Sequence, residues 1–403
     1  MDVLGIGWQP SSFHGWGVFG LNLAEQMLVS GRARPLFVSP VDASVIDPPA
    51  RQAELLAEAL AVSAGLAESA DFDGRGITID VPLVLGLAAD FRGLPVRSSV
   101  AMHAVTFQER AVLSDAARAR AREFETVIAG SSWLGRWLAG EGVENVTTVL
   151  QGVDPALFRP QDRAETEDGA DDSADGGAGD TTDGGAFRVF SGGKMEYRKG
   201  QDLVIAAFRR FRARHPEARL VFSWDNPYSG GMESVAAGGH VTPPPDVRPE
   251  TAGDVARWLA ENGLPEGSFE NLGSLPNRLM PDALASIDVG VFPSRCEGGT
   301  NLVAMECMAS GVPAVLSANT GHLDLIDGDN CYALTEQAPV DPAQAGDGTG
   351  HWGESSVDEL TEALEAAYRD RRDASRRGAR GAETLARLSW ETQAGKLLDA
   401  IGW

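Results

Sequence analysis

The sequence predicts an α/β protein of two parallel-sheet domains, and three observations carry that prediction. Apolar runs of strand length alternate with helical-period segments along most of the 403 residues, the pattern of parallel sheets covered by helices. Two units, Val3 to Ser30 and Ile287 to Gly311, each read as strand, glycine-rich turn and helix. Between them lies Gln161 to Ala186, packed with Asp, Gly, Ala and Thr, a composition that cannot bury enough surface to order itself. That acidic, flexible linker separates a domain over 1–160 from one over 187–385, leaving 386–403 as a C-terminal helix. The chain is long enough to give each domain its own core.

In the first domain Val3 to Trp8 is a short apolar strand, PSSFHGWG a turn, and Val18 to Ser30 a helix carrying Leu21, Leu23, Ala24 and Leu28. Pro35 to Val38 reads as a second strand, Arg51 to Ala67 as a helix, and Ile77 to Leu87 as further strand material. Val100 to Met102 then leads to His103, placing it where a strand opens into a loop at the C-terminal edge of the sheet, which is where open α/β domains hold ligands. That position makes His103 a candidate site residue, with a packing role as its alternative and Glu109 as the side chain that could face the site instead. Phe124 to Gly130 is a strand ending in Ser131 and Ser132, which cap a helix from Trp133 to Leu138. Val146 to Leu150 and QGVDPALFRP close the domain, with Asp154 capping a turn.

The second domain restarts at Phe187 to Ser191. GGKMEYRKG then turns into a helix from Gln201 to Arg214 with Leu203, Val204, Ala207, Phe208 and Phe211 on one face. Lys194, Arg198 and Lys199 cluster where glycines let a ligand approach the backbone, in a chain of formal charge −24, and that contrast favours a phosphate site over a solvated basic turn. Leu220 to Ser223 is a strand followed by a long loop of unassigned purpose over 224–246; Val255 to Glu261 is a helix, Phe269 to Leu272 a strand and Met280 to Ser286 a helix. Ile287 to Phe292 is a strand that stops at Pro293 and Ser294; a bend through Gly298, Gly299 and Thr300 follows. Leu302, Val303, Met305, Met308 and Ala309 then recur at helical spacing until Gly311. A helix starting after such a bend points free N–H groups and its positive dipole end outward, so Asn301 and Leu302 form a seat for phosphate. Glu297 and Glu306 bracket that seat. Carboxylates do not neutralise phosphate, so they are expected to accept hydrogen bonds from hydroxyls. A ligand bearing both phosphate and hydroxyls is a sugar nucleotide. Beyond Pro313 come a strand over Ala314 to Leu316, the loop NTGHLDLI, an acidic connection around Asp341 to Ser355, helices over Val357 to Arg369 and Gly381 to Trp390, and a last helix, Glu391 to Ile401.

The acidic excess argues against nucleic acid and anionic lipid as partners, since both would be repelled. No run of about 18 uncharged apolar residues spans a membrane, and MDVLGIGW lacks the basic lead of a secretory signal, so a cytoplasmic protein is expected. The three cysteines, Cys296, Cys307 and Cys331, have no metal-ligand spacing.

Taken together, Pro293, Ser294, Glu297, Gly298, Glu306, Cys307, Met308, Ala309, Gly311 and Pro313 resemble the donor-binding signature of retaining glycosyltransferases of the GT-B fold, family 4 (glycosyl transferases group 1). VIAGSSWLGRWLAGEGVENVTTVLQGVDPALFRP resembles the end of that family's N-terminal domain, Gly193, Lys194, Lys199 and Gly200 its phosphate turn, and HGWG its Gly-Gly-x-Gly turn, with His14 in place of the first glycine. The resemblance implies two Rossmann-like domains and a nucleotide sugar held mainly by the second, with an unidentified acceptor on the first. It implies that Gly15, Gly17, Lys194, Lys199, Asn301 and Leu302 bind the diphosphate and that Glu306 holds the ribose. Glu297, with Gly298, Gly299 and Thr300, would hold the donor sugar, and His103 would lie near its anomeric carbon. Retention of configuration, no metal or other cofactor, and a last helix crossing back onto the first domain are further implications. Two departures stand out: eight residues separate the glutamates where the family usually has seven, and Lys194 replaces an arginine, exchanging a bidentate fork for a point charge. A sugar phosphorylase or sugar-nucleotide epimerase on the same fold, or an inactive sugar-nucleotide-binding protein, are the alternatives.

Overall fold

The structure is a computed structural model, and it describes residues 2–69, 76–160, 185–226, 231–245 and 252–403. Most of the expected acidic linker, and parts of the expected loop over 224–246, lie outside those residues.

The first domain runs β1 (Val3–Gly7), α1 (Gly15–Val29), β2 (Arg34–Phe37), α2 (Ala50–Ser69), β3 (Ile77–Ile79), β4 (Leu83–Leu87), β5 (Val96–Ser98), β6 (Met102–Thr106), α3 (Asp115–Ala121), β7 (Thr126–Ala129), α4 (Ser132–Gly140) and β8 (Val146–Thr148). Its sheet is parallel in the order β2-β1-β4-β6-β7-β8, with β3 and β5 pairing apart from it. The central strands are continuous apolar runs because helices cover both faces: Leu83, Val84, Leu85 and Leu87 of β4 are all buried.

The second domain repeats the plan through β9 (Arg188–Lys194), α5 (Gln201–Arg212), β10 (Arg219–Asp225), α6 (Ala252–Glu261), β11 (Phe269–Asn271), α7 (Met280–Ala285), β12 (Val289–Phe292), α8 (Leu302–Ala309), β13 (Ala314–Ser317) and β14 (Tyr332–Leu334). The sheet is again parallel, ordered β11-β10-β9-β12-β13-β14. An arm follows, made of β15 (Gln337–Pro339), α9 (Pro342–Ala345) and β16 (Gly353–Ser355), with β15 and β16 antiparallel. The chain ends with α10 (Val357–Arg369), α11 (Arg371–Ala386) and α12 (Trp390–Ala400). This last helix lies on α1 of the first domain: the Trp390 ring packs 5.7 Å from Phe19, and Arg32 pairs with Asp399 at 2.7 Å.

The helix expected over Gly381 to Trp390 is instead the longer α11. Its glycines do not start it; they let it pack closely, since a Cβ on Gly378 would come within 2.1 Å of the Gly311 carbonyl oxygen. The two sheets present strand ends to one another along a seam. The Asn277 N–H, after β11, donates to Ser12 O after β1. The Ser131 hydroxyl, after β7, donates to Gly298 O after β12 at 2.8 Å, and the Ser132 N–H donates to the Asp324 carboxylate after β13 at 2.7 Å.

Candidate functional site

The basic turn sits where β9 ends. Gly193 takes φ 119° and Gly200 takes φ 73°, a left-handed conformation that closes a single turn, Tyr197–Lys199, onto the start of α5. Gly200 also has no room for a side chain, because a Cβ there would lie 2.4 Å from Pro293 O. The basic turn and the acidic bend are thereby packed against each other. Lys199 Nζ meets Glu297 Oε1 at 2.8 Å and Oε2 at 3.0 Å. Arg198 donates to Glu297 Oε2 at 2.8 Å and to Cys296 O at 2.9 Å, and it also pairs with Glu196 at 2.5 Å and Glu109 at 3.4 Å.

The charges decide the ionisation states. Burial opposes the Glu297 carboxylate, but Lys199 and Arg198 outweigh it and hold Glu297 well below the usual carboxylate range. Burial lowers the Lys199 pKa, an effect Glu297 opposes. Burial likewise disfavours the Arg198 charge, yet Glu196, Glu109 and Glu297 raise its pKa. Glu297 was expected to accept hydrogen bonds from donor-sugar hydroxyls; in the structure both of its oxygens also meet cations, Lys199 and Arg198. Its position in the fold is that of a brace for Lys199.

The bend itself is covered. A Cβ on Gly298 would come within 2.2 Å of Phe107 O, and Thr300 accepts no solvent because it is fully buried, its N–H donating to Gln151 Oε1 at 3.1 Å. Gly298, Gly299 and Thr300 thus lie against the first domain's Phe107, Gln108, Ser131 and Gln151 in this closed arrangement.

Lys194, Lys199, the start of α8 and the first glycine turn do converge. Burial and the Lys194 charge together lower the His14 pKa, which places Lys194 opposite that turn. Lys194 Nζ lies 3.6 Å from Glu196. A Cβ on Gly15 would lie 3.8 Å from Leu302 Cδ1. His14 has a structural task that no glycine motif signals: its Nδ1 accepts the Gly17 N–H at 3.3 Å, capping α1. Gly17 is pressed onto Ser11.

Glu306 is buried on α8. Asn277 Nδ2 donates to its Oε1 at 2.5 Å, but among the described residues no cation is paired with it, and burial pushes its pKa up to about 8. The two glutamates therefore differ sharply, one ionised by paired cations and the other inclined to keep its proton.

His103 requires a correction. Met102 does not end the strand; it begins β6, which runs on to Thr106 because Val105 and Thr106 continue to pair with β4 and β7. His103 is thus at the N-terminal end of the strand, three residues or about 10 Å of strand from the edge where the cleft lies. It is 3% exposed, and burial lowers its pKa. The residues that β6 delivers to the cleft are Phe107, Gln108 and Glu109. Glu109 also anchors the arm, its backbone oxygen accepting Trp352 Nε1 at 2.9 Å. Arg110 reaches Asp347 O at 2.8 Å and Ala345 O at 3.0 Å, and the Ala111 N–H donates to Gly348 O at 2.7 Å. Arg198, Asn277, Gln151 and these arm contacts carry no motif; only the unusual density of charge at Glu196 to Lys199 hinted at the first of them.

Comparison with known proteins agrees with this architecture. Residues 186–346 match the family profile described as Glycosyl transferases group 1, which spans less than half of the chain. No curated protein matches the sequence. Among solved structures, sucrose-phosphate synthase from Thermosynechococcus elongatus superposes with a TM-score of 0.61 at 16% identity, over 99% of this chain and 98% of that one. A glycosyltransferase from Rickettsia africae gives 0.61 at 10% identity, over 99% and 97%. Anabaena HepE, solved with UDP-glucose, gives 0.57 at 15% identity, over 100% and 99%. At these identities the likeness is one of fold: the chain has the GT-B fold, two Rossmann-like α/β domains facing across a cleft. No helix among the described residues is long and apolar enough to cross a membrane.

Proposed function

We propose that this chain is a glycosyltransferase that moves a sugar from a nucleotide-diphosphate sugar to an acceptor hydroxyl with retention of configuration, using protein cations in place of a metal. The observation that carries the reading is the proximity of Lys194 to the His14–Gly15 turn, of that turn to the α8 start, and of Lys199 to the end of β9, a gathering of cations and helix-end amides of the kind a departing diphosphate requires. The family profile over 186–346 covers these second-domain elements, and HepE, of the same fold, has been solved with UDP-glucose.

In this mechanism the bond from the anomeric carbon to the phosphate oxygen breaks, the acceptor oxygen bonds that carbon from the same face, and the acceptor proton passes to the departing phosphate oxygen. Lys194, Lys199 and the free amides at Asn301 and Leu302 stabilise the negative charge that grows on the leaving group. Glu297 holds Lys199 in place, and Glu306 receives the ribose hydroxyls. Gly298, Gly299 and Thr300 line the sugar subsite through their backbone once the domains part to admit the donor.

Thermal-shift and calorimetric screening of UDP, GDP, ADP and their sugars tests the donor half, since a ligand of the folded state raises the apparent stability. Transfer assays with and without EDTA, with the product anomer read by NMR, test the rest. A chain that binds none of these nucleotides, or whose transfer stops on chelation, refutes the corresponding part. The full engagement of Glu297 favours one second reading, a protein that binds a sugar nucleotide without turning it over; binding without any transfer or hydrolysis distinguishes it.

A further inference from the structure

The start of α8 is held by a histidine that no motif singles out. Asn301, the residue before the helix, has φ 63° and ψ 87°, a left-handed conformation that a side-chain-bearing residue adopts at an energetic cost and keeps only when its surroundings fix it. Its Nδ2 lies 3.1 Å from His322 Nε2. On the far side of the ring, Nδ1 lies 3.0 Å from Ser317 Oγ, and that hydroxyl donates to Ser294 O at 2.6 Å. Asn301, His322, Ser317 and Ser294 are all buried.

The direction of these bonds follows from chemistry. An amide N–H only donates, so Nε2 accepts and the neutral ring carries its proton on Nδ1, which donates to Ser317. Burial, opposed by Glu297 and reinforced by Lys199 and Arg198, lowers the His322 pKa to about 4, so the neutral ring persists at working pH. The same segment braces the other end of the bend. Thr320 Oγ1 accepts the Glu297 N–H at 2.8 Å, and the Gly321 N–H donates to Glu297 O.

We propose that His322 is a positioning residue of the donor seat: by accepting the Asn301 amide it fixes the left-handed turn that aims the first α8 amides at the donor diphosphate. The inference rests on the nucleotide-sugar reading of the site. His322 acts through Asn301 and does not touch the ligand.

The test is calorimetric titration of the full chain with UDP, GDP, ADP and their glucose conjugates, carried out on variants whose far-UV spectra match wild type. His322→Ala is expected to weaken binding about tenfold, the scale of one lost hydrogen bond in a buried network. His322→Gln keeps an acceptor for Asn301 and recovers affinity to within about threefold of wild type. His322→Met fills the ring's space without an acceptor and replaces the alanine if that void prevents folding; it should bind as weakly. In an Asn301→Gly background, where glycine holds φ 63° unaided, removing the histidine acceptor should cost less than about threefold. Equal affinities for the glutamine and the methionine or alanine variants overturn the inference, as does a loss of the same size in the glycine background. A wild-type chain that binds none of the nucleotides overturns both this inference and the functional reading, whereas wild-type binding with unaffected His322 variants overturns this inference alone.

Discussion

Glu306 gives the sharpest quantitative test of the site. Burial raises its pKa from 4.5 to about 8, so between those values the folded chain holds a proton that the unfolded chain has lost. The folded state then binds more protons, and stability falls as pH rises. The contribution is complete below about pH 4.5, declines by about 1.4 kcal/mol per pH unit, and is gone above about pH 8, a total of about 5 kcal/mol as an upper figure. Glu306→Gln keeps the oxygen that accepts from Asn277 but has no proton to lose. Its advantage over wild type should be small at pH 5, grow through pH 6 and 7, and level off above pH 8. At roughly 2–4 °C per kcal/mol for a domain of this size, scanning calorimetry of the two proteins from pH 5 to 9 resolves such a widening gap. A melting-temperature difference that stays constant across that range refutes the claim that Glu306 is an unpaired, desolvated carboxyl. The same variant should bind nucleotide sugar more weakly at pH 8, because the ribose hydroxyls lose a charged acceptor.

Four other outcomes follow from the geometry. Lys194→Ala should raise the dissociation constant for a nucleotide sugar by about tenfold, one charge-assisted contact, with the melting temperature nearly unchanged because this side chain is 36% exposed; calorimetry and a melting scan check both. Lys199→Ala should lose donor binding and turnover together and also destabilise the fold by about 3 kcal/mol, since it strips a cation from buried Glu297; denaturant titration reads the second effect. Glu297→Gln should lower kcat more than donor affinity, because Lys199 is loosened but not removed, and a kcat increase or a pure KM effect would refute the bracing role. His103→Gln should keep transfer within about twofold of wild type, as a residue at the far end of β6 touches no substrate.

What the sequence could disclose was local. The glycine bend, the α8 start and the Lys194 to Gly200 spacing are contiguous patterns, and each reports its own backbone shape. Strand ends are less legible. Met102 and Thr106 are both compatible with a strand terminus, and only the pairing partners of β6 decide between them, which is why His103 was expected at the wrong edge. The surroundings of Glu297 were illegible for a different reason. Its cations come from a turn 98 residues earlier, and a carboxylate motif read alone gives no sign that its oxygens are already occupied. Glu306 shows the same limit in reverse: its position in the helix is readable, but the lack of a paired cation among the described residues, and hence its retained proton, emerges only from packing.

The arm over Gln337 to Ser355 bears on how the two halves separate. It grips Glu109, Arg110 and Ala111 through four hydrogen bonds, beside the bend, while the glycine-turn end is joined by the Ser12–Asn277 bond and the Asp47–Arg278 pair at 2.8 Å. Parting the lobes evenly would break both attachments at once; yielding first at the more weakly tied end breaks fewer bonds. An opening that starts at the Gly15 end would leave the arm's four bonds acting as a spine on the opposite side for as long as they hold.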